Sequence, residues 1–169
     1  MIRFCPACGH DSGVMHHGPE IFVCSECGHR HWFNPKPCGG ALVIRDGRAM
    51  LSRRAIDPAR GTWDVPGGFC DPFEHPEETA RRELREETGL EITLGDLLGI
   101  FIDVYGATGR STLNFCYLAT VHPDAEPVPT DDIDAIGWFG PDELPRPEQL
   151  AFRHTSEVLE AWCRTLRGT

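Results

Sequence analysis

The chain of 169 residues carries 16 Lys and Arg against 26 Asp and Glu, a formal charge of −10, and 40% of it is hydrophobic. This suits one ordinary domain with a small accessory module and excludes wholesale disorder. Such acidity argues against nucleic acid as a partner, because phosphate backbones are bound by clustered Lys and Arg.

The longest apolar run, residues 38–44, is too short to cross a bilayer, and Met1-Ile2-Arg3-Phe4-Cys5 is not a signal peptide. A cytoplasmic protein without a membrane partner is the expectation. At the N-terminus, Cys5-Pro6-Ala7-Cys8 and Cys24-Ser25-Glu26-Cys27 give the spacing C-x2-C-x15-C-x2-C, within the range of a zinc site. Two thiolates two residues apart can face one ion, and a second pair completes a tetrahedron. Gly9 and Gly28 follow each pair, where a tight knuckle needs a residue tolerant of positive φ. The alternatives are two disulfides, which need export, and a redox motif, which does not normally come in duplicate. His10, His16, His17, His29 and His31 are read as solvated, and Cys38, Cys70, Cys116 and Cys163 as buried free thiols. Up to Pro37 the basic and acidic residues balance, so this ribbon is read as a structural or dimer-forming module.

Residues 1–33 form the predicted zinc ribbon, 34–37 (Asn-Pro-Lys-Pro) a linker, and 38–169 the main domain. In the latter, residues 40–45 and 49–54 read as strands joined by Asp46-Gly47, a strong hairpin signal. Residues 63–65 read as a short strand ending at Pro66-Gly67-Gly68. A helix is predicted over 77–88, with acids in its first turn and Gly89 as its stop. Strands follow at 92–104 and 112–121, then a Pro- and Asp-rich loop over 122–132 and a short strand ending at Trp138-Phe139. Residues 149–166 read as a helix presenting Phe152, Val158, Leu159 and Trp162 to the core.

The chemistry concentrates between Gly68 and Leu90. Glu83, Glu86 and Glu87 stand at i, i+3 and i+4 on the predicted helix, within an arc of roughly 100°. A solvated charged face is the bland reading of such a run. However, a Gly-Gly turn lies just upstream, and Ala80, Leu84 and Thr88 on the opposite face are suited to packing. A docked helix presenting three carboxylates to a loop suits hard cations.

The pattern Gly68-x5-Glu74-x7-Arg82-Glu83-Leu84-x-Glu86-Glu87-x-Gly89-Leu90 resembles the Nudix box of the pyrophosphohydrolases, with every defined position filled. The lead-in Trp63-x-x-Pro66-Gly67-Gly68 is similar too, and the N-terminal cysteines resemble the zinc-ribbon branch of that family. The resemblance implies an α/β (α+β) fold: the Nudix α/β/α sandwich with a mixed sheet, preceded by a small zinc ribbon.

By position, the resemblance implies that Glu83, Glu86 and Glu87 ligate Mg²⁺ or Mn²⁺, with a backbone carbonyl of the Gly67-Gly68 turn, assigned to Gly68. Arg82 and Glu74 match an ion pair that holds the loop and helix rigid. The general base is a box acid, Glu86 or Glu87, or a downstream one, Glu126, Asp131 or Asp132. Arg53 and Arg54 are candidates for phosphate contact, and Trp63 and Tyr105 for stacking on a base.

The implied activity is metal-dependent hydrolysis of a nucleoside diphosphate linked to another moiety. Ribbon-bearing relatives include NADH pyrophosphatases, but their Ser-Gln-Pro-Trp-Pro-Phe-Pro motif has no counterpart in residues 91–110. Asn34-Pro35-Lys36 and Arg53-Arg54-Ala55-Ile56 look instead like the FAD/ADP-ribose group. A small-molecule substrate is therefore the expected partner, and a homodimer the arrangement common among relatives. The alternative is a non-catalytic nucleotide-sensing or partner-binding module, which a degenerate box would have favoured.

Overall fold

The structure, a computed structural model, describes residues 2–16, 21–106, 109–130 and 132–168. It divides into two compact units, Met1–Pro35 and Lys36–Thr169. In the first, strands β1 (Ile2–Phe4) and β2 (Asp11–His16) pair antiparallel, as do β3 (Phe22–Val23) and β4 (Arg30–His31). Its core is small: Cys5, Phe22 and Cys24, with Ile2 and Phe33 packed against them.

The second unit is built on a seven-stranded mixed sheet. Its main path runs β11 (Ile133–Phe139), β6 (Arg48–Arg54), β5 (Lys36–Arg45), β10 (Arg110–Val121), β9 (Ile92–Tyr105). Two short strands, β7 (Trp63–Asp64) and β8 (Gly67–Phe69), pair with β6 and β5. Only β5 and β10 run parallel, Lys36 facing Thr112 and Val43 facing Ala119.

Strand alternation sends side chains to two different helices. Ala41, Val43, Met50, Tyr117 and Ala119 meet Ala80 and Leu84 of helix α1 (Pro76–Thr88). Leu42, Ala49, Leu51 and Cys116 meet Val158, Leu159 and Trp162 of helix α2 (Arg153–Leu166). The result is the expected α/β/α sandwich.

Three local expectations change. The sheet begins at Lys36 rather than Gly40, so the second linker proline is already in a strand. Pro37 is tolerated because its carbonyl still accepts, here from Cys70 N–H at 3.0 Å, and only its missing N–H is lost. The Gly67-Gly68 turn continues into a strand opposite Gly40 and Gly39. The backbones approach so closely there that a Cβ on Gly67, whose φ is 156°, would lie 2.6 Å from Gly40 Cα. Finally, α2 starts at Arg153, not Gln149. Residues Pro147–Gln149 form a 3-10 turn, and Ala151 N–H bonds the Trp63 carbonyl at 2.8 Å, which draws this segment out as extended chain. Phe152 consequently caps the helix instead of joining the core.

Candidate active site

Helix α1 starts with an unexpected cap. His75 Nδ1 accepts from Glu77 N–H at 3.3 Å, while Glu78 Oε2 accepts from His75 N–H at 3.1 Å, a capping box with Pro76 as first helical residue. At the far end Gly89 takes the left-handed conformation and bonds back to the Arg85 carbonyl. The loop over 122–132 seals the remaining carbonyls: Val128 N–H donates to Thr88 O, Thr130 N–H to Glu87 O, and Thr130 Oγ1 to Glu86 O at 2.9 Å.

Arg82 organises the acidic face. Its Nε and Nη2 hold both oxygens of Glu74 at 2.9 Å, Nη1 reaches Glu83 at 2.7 Å and Glu86 at 3.0 Å, and Nη2 also donates to Phe69 O. Glu74 further accepts from Asp71 N–H and the Thr79 hydroxyl. The Arg82 fork and these donors hold Glu74 down at about 2. Burial raises Glu83 above its ordinary value despite Arg82.

Glu87 differs from its neighbours. Its Oε2 is buried and has no hydrogen-bond partner among the described residues. Burial, with the Glu83 and Asp64 charges added, pushes its carboxyl up to about 8. An orphaned anionic oxygen of this kind is costly unless a cation or proton satisfies it. Gly68 completes the cradle: a Cβ there would stand 2.5 Å from the Glu83 carboxyl carbon. These donors are all hard oxygens, and they fit a Mg²⁺ or Mn²⁺ ion.

A cleft adjoins the acids across Gly67-Gly68. Its floor comes from Cys38 and Gly40 of β5 and from Thr112, Asn114 and Cys116 of β10; Phe69, Tyr105, Phe152 and His154 stand around it. The rings form a series, Phe69 to Tyr105 at 5.3 Å, Tyr105 to Phe152 at 5.8 Å and Phe152 to His154 at 5.5 Å. Asp103 anchors α2 by accepting from His154 N–H at 2.7 Å and pairing with His154 Nδ1 at 3.0 Å. Asp64, buried and with its pKa raised by that burial, accepts from Val65 N–H and the Thr155 hydroxyl and lies 3.6 Å from Arg54.

The predicted substrate contacts separate. Arg54 and Tyr105 line the cleft. Arg53 turns away to Asp134 at 2.6 Å, and Trp63 packs edge-on against Phe139 at 5.0 Å. Of the downstream acids, Glu126 is 80% exposed and 3.8 Å from Arg45, Asp132 is exposed, and Asp131 lies outside the described residues, as does His17. Sequence reasoning missed Asp64, Asp103, Asn114, Phe152 and His154. The one local signal was polarity out of place, such as an Asn inside the apolar run 113–118.

In the first unit, Cys5 and Cys27 Sγ lie 3.7 Å apart, as do Cys8 and Cys24 Sγ, and all four sulfurs fall within 4.8 Å of one another. A tetrahedral centre with bonds of ~2.3 Å sets its sulfurs roughly 3.8 Å apart. The knuckles match: Gly9 and Gly28 N–H bond back to Cys5 and Cys24 carbonyls, with φ of 75° and 72°. Among the described residues this is the one group of three or more Cys, His, Asp or Glu whose ligand atoms meet so closely. The α1 carboxylates are more spread, with the Arg82 guanidinium between Glu83 and Glu86.

Residues 35–162 match the model of the NUDIX domain. The chain is 26% identical over 140 residues to an ADP-ribose pyrophosphatase of Methanocaldococcus jannaschii, covering 83% of this chain and 80% of that one. It is 27% identical over 147 residues to an NAD-capped RNA hydrolase of Vibrio vulnificus, covering 85% of this chain but only 53% of that protein. A NUDIX hydrolase crystal structure from Nitrosomonas europaea superposes with a TM-score of 0.79 at 26% identity, covering 99% of this chain and 94% of that one. With the sandwich in place and the box acids gathered beside the Gly-Gly strand, this chain belongs to the Nudix family.

Proposed function

We propose that this protein is a divalent-metal-dependent pyrophosphohydrolase that splits the diphosphate of a nucleoside diphosphate linked to another moiety, with ADP-ribose and FAD-like compounds favoured. The single observation that carries this reading is Glu87 Oε2, buried without a hydrogen-bond partner among the described residues, one helical turn from Glu83, whose carboxyl lies against Gly68.

Glu83, Glu86, Glu87 and the Gly68 carbonyl would hold Mg²⁺ or Mn²⁺. A cation held there would supply charge neutralisation for the diphosphate and activation of a water nucleophile. The chain's own part is positional. Arg82 and Glu74 fix the acidic face against the loop, and the capped helix keeps Glu83, Glu86 and Glu87 on one side. A carboxylate of this cluster accepts the water proton. We place that base among the box acids, because Glu126 faces Arg45 and Asp132 faces solvent.

Four cysteine sulfurs at zinc spacing support a structural Zn²⁺ in the first unit. Thiols poised for metal rather than disulfides suit a reducing, cytoplasmic compartment. The similarity to an NAD-capped RNA hydrolase covers half of that protein, so NAD-type compounds belong on the test panel, behind ADP-ribose and FAD.

Incubation with Mg²⁺ or Mn²⁺ and ADP-ribose, FAD, NADH, diadenosine compounds and nucleoside triphosphates, followed by product analysis, tests the proposal. AMP release from ADP-ribose or FAD supports it. Binding without turnover under either metal points instead to a nucleotide-sensing module.

A further inference from the structure

Two of the metal acids stand where a helix is weakest. Glu86 and Glu87 belong to the last turn of α1, which ends at Thr88. Terminal turns fray, and their final carbonyls have no partner inside the helix. The like charges of Glu83, Glu86 and Glu87 add to the tendency to splay. Gly89 N–H serves the Arg85 carbonyl, so the carbonyls of Glu86, Glu87 and Thr88 need donors from elsewhere.

The segment Pro127-Val128-Pro129-Thr130 serves all three. Its two prolines fix their own φ and have no N–H, so its donors are Val128 N–H, Thr130 N–H and the Thr130 hydroxyl. Each is aimed at the helix end. Val128 N–H reaches Thr88 O at 2.9 Å, and Thr130 N–H reaches Glu87 O at 3.2 Å. The Thr130 hydroxyl lies 2.9 Å from Glu86 O and 3.1 Å from Glu87 O, one proton shared between two carbonyls. Among the described residues no other group bonds the Glu86 carbonyl.

Both ends of this segment are pinned to the sheet. Arg45 of β5 donates to Ala125 O at 2.7 Å, and its guanidinium lies over the Trp138 ring at 4.2 Å. Beyond Thr130, Ile133 N–H returns to Thr130 O at 3.0 Å. Ala55 N–H bonds Asp132 O at 2.8 Å, one residue past the Arg54 that lines the cleft. The last turn of α1 is thereby tied to β5, β6 and β11.

On the metal-dependent reading above, we propose that Pro127-Val128-Pro129-Thr130 is a strap that orders the acidic turn before any ion arrives. Thr130 is its positioning residue: through the Glu86 and Glu87 carbonyls, its hydroxyl holds those two carboxylates in the arrangement that takes up Mg²⁺ or Mn²⁺. Without the strap, the ion itself would have to order the turn, and affinity would fall by the entropy that this ordering costs. Coupling is reciprocal, so an ion held by Glu86 and Glu87 must in turn steady the strap.

The test measures Mn²⁺ binding to the full chain, prepared with zinc, through loss of the free-ion electron paramagnetic resonance signal. Wild type, Thr130→Val and Thr130→Ser are compared. Thr130→Val keeps the shape and loses the hydroxyl, and should bind Mn²⁺ roughly fivefold more weakly, the equivalent of one neutral hydrogen bond. Thr130→Ser keeps the hydroxyl and should match the wild type. Turnover of ADP-ribose should follow the same order when Mn²⁺ is scarce and converge when it saturates. A merely structural role would lower the melting temperature of Thr130→Val and leave its Mn²⁺ affinity at the wild-type value. That result overturns the proposal, as does equal weakening in Thr130→Val and Thr130→Ser. Should Thr130→Val not fold, hydrogen exchange of the wild type decides: Mg²⁺ should slow the Val128 and Thr130 amides, and unchanged exchange there overturns the strap. Wild type that binds Mn²⁺ without turning over ADP-ribose counts against the substrate assignment alone, and the affinity and exchange comparisons still decide the strap. Wild type that binds no Mn²⁺ overturns the metal reading and the strap together.

Discussion

The two units solve the problem of stability by different means. Lys36–Thr169 buries two apolar layers, one under each helix, and Leu42, Val43, Met50, Leu51, Leu84 and Val158 are fully enclosed. Met1–Pro35 buries three core residues, two of them cysteines. Its side chains Phe4, Val14, Met15, Val23 and Trp32 are all more than half exposed. A core that small is weak support for thirty-odd residues, and the Zn²⁺ proposed at the four sulfurs would supply what packing does not. The larger unit holds an orphaned carboxylate and a like-charged helix face on the helix that its first apolar layer supports. That is where the chemistry sits.

The sharpest way to break this comparison is to deny the first unit the Zn²⁺ proposed for it. Cys24→Ser, or a strong chelator, should unfold Met1–Pro35 outright, because zinc binding contributes on the order of 10 kcal/mol or more to such modules. Limited proteolysis should then cut before Lys36 while the rest resists. An intact first unit without metal would contradict the account.

Leu84→Ala should act the other way. It removes a fully buried side chain under α1 and should cost the second unit about 2–5 kcal/mol, read by chemical denaturation, with no effect on zinc content. A loss under 1 kcal/mol would show that the α1 layer is not what holds this unit.

A subtler effect lies in Glu74. Its folded pKa of about 2 is below the ordinary 4.5, so its contribution is complete above about 4.5 and lost as pH falls toward 2. Thermal melts across that window should show a decline in wild type that Glu74→Gln lacks. Parallel profiles would place the acid sensitivity elsewhere. Smallest of all is the helix cap: His75→Ala should destabilise α1 by about 0.5–1 kcal/mol, and a neutral result would mean that Pro76 and Glu78 suffice.

How much of this was readable in the sequence follows the same division. The four cysteines and the acids from Glu74 to Glu87 announce themselves because their chemistry depends on local spacing. A helix turn puts Glu83, Glu86 and Glu87 on one face whatever surrounds it. The sandwich was legible through the resemblance to the Nudix box, with 40–45 and 112–121 read as strands beside it.

The cleft was not, because it is assembled from distant segments. Asp103 reaches His154 across 51 positions, and Thr155 reaches Asp64 across 91. Likewise Arg53 and Arg54 look alike in sequence, but strand alternation turns one to Asp134 and the other to Asp64. Phe152 read as core because helical periodicity was extended into a segment that Trp63 holds as extended chain. His75 escaped notice as a cap because the usual capping residues are Ser, Thr, Asp and Asn.

The most direct test of the central claim is AMP release from ADP-ribose with Mg²⁺ by the wild type, Glu87→Gln and Glu126→Gln. The account predicts turnover by the wild type, a loss of at least a hundredfold in kcat for Glu87→Gln, and near-normal turnover for Glu126→Gln. Full activity in Glu87→Gln would contradict it.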